Sequence, residues 1–216
     1  MDRHSQILAT LADMYPDARC ALHFRNPFEL LIATMLAAQA TDKSVNLVTP
    51  ALFAKAPTPE AMLLLSQEEL EDLIKSIGLY RNKARNIRAA CRLLVEKHGG
   101  QTPNCRELLE ELPGVGRKTA SVVLAEAFQE PAIAVDTHVF RVSNRLGLAQ
   151  AADVVKTEQE LMSNIPRELW AKAHHWLIFH GRQVCHARKP ACRDCRLAEQ
   201  CREYTGVNVE TGEETE

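Results

Sequence analysis

Apolar residues return at three- and four-residue steps along almost all of this 216-residue chain, and that spacing commits it to packed helices. Ile7, Leu8, Leu11 and Met14 make one such stripe, and Phe28, Leu31, Ile32, Met35 and Leu36 make another. Val154, Val155, Leu161, Met162 and Ile165 form a third, with Glu158 expected at its margin. Leu169, Trp170, Ala173, Trp176, Leu177 and Phe179 form a fourth. Only Ile133–Val135 could pass for a strand, and it is too short to anchor a sheet. The breaks are brief: Asn26-Pro27, Pro57-Thr58-Pro59, Gly99-Gly100, and Pro113 with Gly114 and Gly116. Connections of that length suit compact helix packing, so the expected fold class is all-α.

Hydrophobic residues make up 46% of the chain and charged ones 25%, enough for a buried core and an ordinary polar surface. No apolar run reaches the ~18 residues that would span a bilayer. The segment Met1–Arg19 is charged and amphipathic, without the apolar core and small-residue cleavage site of a secretory signal. The expectation is a cytoplasmic, reducing setting with no membrane partner and, lacking coiled-coil or repeat signals, a monomer. Net charge is −2, but residues 205–216 carry four glutamates and no Lys or Arg. Without that tail, which is expected to be disordered, 26 basic residues face 24 acidic ones. Basic residues concentrate in Gly181–Arg196, where Arg182, Arg188, Lys189, Arg193 and Arg196 are offset by Asp194 alone. A strip of that kind can meet phosphates, although a solvated face would read the same.

Cys185, Cys192, Cys195 and Cys201 stand at C-x6-C-x2-C-x5-C spacing. In a reducing setting such a group points to a metal centre before disulfides. Structural zinc sites usually pair two short cysteine knuckles, and only Cys192 with Cys195 makes one. A cubane iron–sulfur cluster takes four cysteines across uneven loops, which favours the cluster and leaves zinc open. Cys20, Cys91 and Cys105 are scattered and expected to serve as small buried hydrophobes.

Cys105–Leu112 reads as a helix that Pro113 stops by restricting Leu112. Pro113-Gly114-Val115-Gly116 follows, and then Arg117-Lys118-Thr119-Ala120. Two glycines around one apolar residue turn the backbone sharply and leave amides uncovered at the next helix, where a phosphate can be held. Val115 is expected to point inward and pin the turn. A plain interhelical connection would carry the same residues. What tips the reading toward a helix-hairpin-helix is Lys118 in the first helical turn, since an amine beside a gripped sugar-phosphate can attack the sugar. Asp136, in Val135-Asp136-Thr137-His138-Val139, can cap the next helix. Paired with Lys118, it also gains a chemical use.

The glycine hairpin, its lysine, the Val135–Val142 segment and the cysteine quartet, in this order, resemble the endonuclease III family of DNA glycosylases and abasic-site lyases. Ala38-Gln39-Ala40-Thr41-Asp42 and Ile77-Gly78-Leu79-Tyr80 are similar to further family segments, and the likeness covers nearly the whole chain. It implies two helical domains with a DNA-binding cleft between them. Residues 21–131 would form a helical barrel containing the hairpin. Residues 1–20 and 132–204 would form the other domain, holding a 4Fe–4S cluster on the four cysteines. Lys118 matches the family's nucleophile and Asp136 its essential carboxylate. Gln39 and Leu79 match residues that enter the duplex around an extruded nucleotide. Asp42, Gly114, Val115, Gly116, Arg117, Thr119 and His138 fall in segments expected to touch DNA, as do Arg188 and Lys189 in the cluster loop.

The implied partner is double-stranded DNA carrying oxidised pyrimidines or abasic sites. A damaged base must be rotated out before it can be reached; Leu79 would wedge the stack and Gln39 fill the vacated space. Lys118 must be neutral to attack C1′, whereas a free lysine has a pKa near ~10.4. Desolvation and nearby positive charge would lower it. Asp136 would stabilise charge developing on the sugar and relay a proton. A lysine imine acidifies C2′, so β-elimination would cut the strand. An adenine-removing relative would carry a glutamate within Leu31–Leu36 and lack the hairpin lysine, and neither holds here. A non-catalytic DNA-binding or redox iron–sulfur protein would leave Lys118 and Asp136 without purpose.

Overall fold

The computed structural model describes residues 2–206, and among them there are twelve α-helices and no strand. In chain order the first six are α1 Arg3–Met14, α2 Pro27–Ala37, α3 Asp42–Lys55, α4 Pro59–Leu64, α5 Gln67–Ile74 and α6 Tyr80–His98. The others are α7 Arg106–Glu110, α8 Arg117–Ala127, α9 Thr137–Leu146, α10 Val154–Asn164, α11 Trp170–Gln183 and α12 Arg202–Thr205. None is long and apolar enough to cross a membrane. The chain divides into two compact units, one made of Met1–Arg19 with Pro131–Glu216, the other of Cys20–Glu130.

Within Cys20–Glu130, α2 is buried along its whole length from Phe28 to Leu36, and α3, α6 and α8 pack around it. Short connections are possible because side chains start the helices. Asn26, Thr41, Thr58 and Ser66 each accept a first-turn amide at α2, α3, α4 and α5. Ser66 and Glu69 close a reciprocal capping box. The amphipathic α6 turns Ala84, Ile87, Cys91 and Leu94 inward against α2, α4 and α5. Glu29, buried in this unit, is paired with Arg25 at 2.6 Å.

In the other unit α11 is central, packing against α1 and α9. Its core holds Ile7, Leu11, Val139, Val142, Leu161, Trp176 and Leu177. Arg3 donates to Leu146 O and to Gln200 O, the latter at 2.5 Å, tying α1 to the end of α9 and to the cysteine region.

Several expectations need correction. Glu158 is buried at 2% exposure, because α10 turns Thr157, Glu158 and Leu161 inward and leaves Val154 and Val155 exposed. The helix expected from Cys105 spans only Arg106–Glu110, since Leu112 O accepts the Val115 amide within the turn. Of the three scattered cysteines, only Cys91 is fully buried; Cys20 and Cys105 are half-buried. Of the expected disordered tail, Thr205 closes α12 and residues 207–216 lie outside the described residues.

Candidate functional site

Helices α7 and α8 are joined by residues 111–116. Val115 is buried and its N–H donates to Leu112 O at 3.0 Å, pinning the turn from inside. The two glycines differ. Gly114 has φ +81°, and a Cβ there would meet Asn86 Cβ at 2.9 Å, so the fold itself requires glycine. Gly116 has φ −102° and open space where a Cβ would stand, so nothing within the protein demands it. Gly116 is also the N-cap of α8, and no side chain caps that end. The amides of Lys118 and Thr119 therefore have no helical acceptor, and such an end attracts anions. Arg117 and Lys118 are exposed and Thr119 is half-buried. The desolvation anticipated for Lys118 is thus not supplied by the protein alone. Arg106 on α7 donates to Ser121 Oγ at 2.9 Å, and Ser121 Oγ donates to Arg117 O at 2.9 Å, holding the hairpin's helices together.

Gln39, Leu79 and Gly114 line one cavity of about 110 Å³, together with Lys83 and Asn86. Both Gln39 and Leu79 stand in left-handed backbone, at φ +55° and +60°. That conformation costs a residue with a Cβ about 1–2 kcal/mol. Leu79 is also 61% exposed, although apolar. Strain and exposure at the same position are the marks of a residue kept for contact with something outside the fold. Asp42, half-buried, is the first residue of α3. Lys83 escaped notice in the sequence, yet it is only 7% exposed and donates to Leu36 O at 2.8 Å. Burial lowers its pKa from the ordinary lysine value.

Asp136, in the other unit, caps α9. Its Oδ1 accepts from the amides of His138 and Val139, both at 2.8 Å. Among the described residues Oδ2 accepts nothing, so one oxygen fixes the carboxylate while the other stays available. Further along α9, Arg141 donates to Cys185 O at 3.1 Å and to Gly181 O at 3.0 Å. It also meets His138 Nδ1 at 3.2 Å. Arg145, one turn on, donates to His186 O at 2.8 Å and to Cys185 Sγ at 3.5 Å. These arginines anchor the loop that follows α11. Their signal was present in the sequence as a basic pair four residues apart, one helical turn.

Cys185, Cys192, Cys195 and Cys201, all half-buried, line one small cavity of about 20 Å³. Burial, with the neighbouring cysteines adding to it, pushes the Cys195 and Cys201 thiols up. His180 Nε2 lies 3.7 Å from Cys195 Sγ, and its Nδ1 meets the Tyr15 hydroxyl at 3.0 Å. Burial holds the His180 pKa down to about 4, so the ring is neutral and one of its two nitrogens carries a proton. Among the described residues no three His, Cys, Asp or Glu side chains converge on a single metal ion. Convergence is what one zinc needs, whereas a cubane takes each thiolate at its own corner. Between the first two cysteines, Arg188 and Lys189 are exposed, and Lys189 has φ +52°.

Residues 32–167 match the family model of the HhH-GPD superfamily base excision DNA repair protein. The chain is 52% identical to endonuclease III of Haemophilus influenzae over 196 residues, covering 91% of this chain and 93% of that protein. It is 50% identical to endonuclease III of Escherichia coli K12 over 204 residues, covering 94% and 97%. A solved structure of a trapped endonuclease III–DNA covalent intermediate, an estranged-adenine complex, is similar at TM-score 0.88 and 52% identity. That likeness covers 94% of this chain and 98% of the other. The chain therefore belongs to the HhH-GPD superfamily of base excision DNA repair proteins and, within it, to the endonuclease III family.

Proposed function

We propose that this protein is a bifunctional DNA glycosylase and abasic-site lyase, acting on oxidised pyrimidines and abasic sites in duplex DNA. The observation that carries the proposal is an exposed amine, Lys118, in the first turn of a helix whose amides are left open. A backbone phosphate held by those amides would bring the adjoining sugar to the Lys118 nitrogen. Leu79 would enter the stack and Gln39 would occupy the space left by the extruded nucleotide.

Lys118 Nζ forms a bond to C1′ while the bond from C1′ to the base breaks, and the base leaves with a proton. Opening of the sugar gives an imine between Nζ and C1′. Loss of a C2′ proton then breaks the C3′–O bond and cuts the strand, and water releases the lysine. Closure of the duplex over Lys118 supplies the desolvation that the exposed side chain lacks. Asp136 suits the carboxylate role, because Oδ1 is held by two amides while Oδ2 can face developing positive charge or carry a proton.

The four cysteines fit a 4Fe–4S cluster: they share one cavity, Arg145 brings an N–H to the Cys185 sulfur, and the His180 ring lies beside that of Cys195. Bound there, the cluster would cross-link residues 185–201. The chain's own residues would then hold Arg188 and Lys189 toward a phosphate. A cytoplasmic setting and a monomeric state fit this function.

Borohydride trapping tests the chemistry. Wild type should become covalently joined to abasic DNA, Lys118→Gln should not, and Asp136→Asn should be slower by about 10²–10⁴-fold. Equal trapping by wild type and Lys118→Gln would sink the assignment. Gly116→Ala should leave thermal stability unaltered yet weaken binding to duplex DNA, because only a bound phosphate competes for that open space. Unaltered binding would show that the open amides are not used. Lys189→Ala should reduce the steepness of the log–log dependence of affinity on salt by about 0.9, and an unchanged slope would remove the residue from the interface. Purified protein should contain about four irons and four sulfides and absorb in the visible, whereas a colourless zinc protein would contradict the cluster.

A further inference from the structure

The start of α6 places Leu79, Lys83 and Asn86 at i, i+4 and i+7, on one face of the helix. Each serves a different element of the proposed DNA-reading surface. Leu79 is itself the wedge. Lys83 Nζ donates to Leu36 O at the end of α2, three residues before Gln39. Asn86 lies against Gly114 of the hairpin, so close that a Cβ on the glycine would meet it. All of these residues except Leu36 line the same cavity.

We infer that Lys83 is a positioning residue, which ties the end of α2 to α6 and so sets the spacing between Gln39 and Leu79. The inference rests on the glycosylase and lyase reading given above and deepens it. The chemistry suits the task. Leu36 O is among the last carbonyls of α2, which lack a helical donor and carry the negative end of the helix dipole. A long stem ending in an ammonium reaches it across the cavity. Burying an ammonium against one carbonyl is not what stability alone would select, since an apolar side chain of similar length is buried at lower cost. Gln39 and Leu79 both occupy left-handed backbone. Two strained residues on separate segments keep a fixed distance only if something braces those segments, and Lys83 is the side chain that joins them.

Single-turnover borohydride trapping of wild type and Lys83→Met tests this on an abasic site placed in a duplex and in the same single strand. Only the duplex requires the wedge and the space-filling residue to act together. Trapping on the duplex should fall by about 10–100-fold, and its dependence on the base opposite the lesion should flatten. Trapping on the single strand should fall much less. An equal fall on both DNAs, or none on either, would overturn the positioning role. If Lys83→Met loses its helical circular dichroism, Lys83→Gln, a shorter donor, goes through the same two assays with the same criteria. Wild type that traps neither DNA would overturn the lyase reading, and this inference with it.

Discussion

Helix α8 begins at a glycine that offers no side chain to its own amides, and most of the proposed chemistry follows from leaving that end open. A helix start ordinarily recruits Ser, Thr, Asp or Asn, as α2, α3, α4 and α5 do in the same unit. Helices α6, α7 and α8 start without a side-chain cap, and at α8 the bare end is built with care. Val115 is buried to fix the turn, Gly114 yields its side-chain space to Asn86, and Arg106 with Ser121 clamps α7 to the new helix. The result is a rigid hairpin whose outer side consists of backbone donors, with an amine one residue into the helix.

Stability is given up at a few named positions. Three of the four non-glycine residues in left-handed backbone are Gln39, Leu79 and Lys189, each of which the family resemblance implies as a DNA contact. Leu79 adds a largely exposed apolar side chain, and Lys83 adds a buried amine. Around the cysteines the polar groups serve support instead. Arg141 and Arg145 hold carbonyls of the loop, and neutral His180 links Tyr15 to Cys195. Leu79 and Lys189 are exposed and Lys83 is turned inward, whereas the second group holds a loop in shape.

The helices were largely legible because their apolar stripes follow the helical period, and the hairpin because proline and glycine have few backbone options. The cysteine cavity was legible because four thiols so close in sequence have few uses. What escaped depended on partners distant along the chain. Lys83 reads as one more basic residue on a long amphipathic helix, and its acceptor lies 47 residues away. Glu158 interrupts an apolar stripe, but periodicity gives the spacing of a stripe and not which way the helix is rotated. The free oxygen of Asp136 is likewise invisible to sequence, since any N-cap aspartate would be written the same way. The exposure of Lys118 was also not legible, since a lysine early in a helix reads the same whether or not its own fold covers it.

Peptide mapping of the borohydride-reduced protein–DNA adduct by mass spectrometry identifies the attacking nitrogen directly. The sugar remnant is expected on the peptide containing Lys118 and on no other. A remnant on the N-terminal amine or on a different lysine would contradict the role given to the open end of α8.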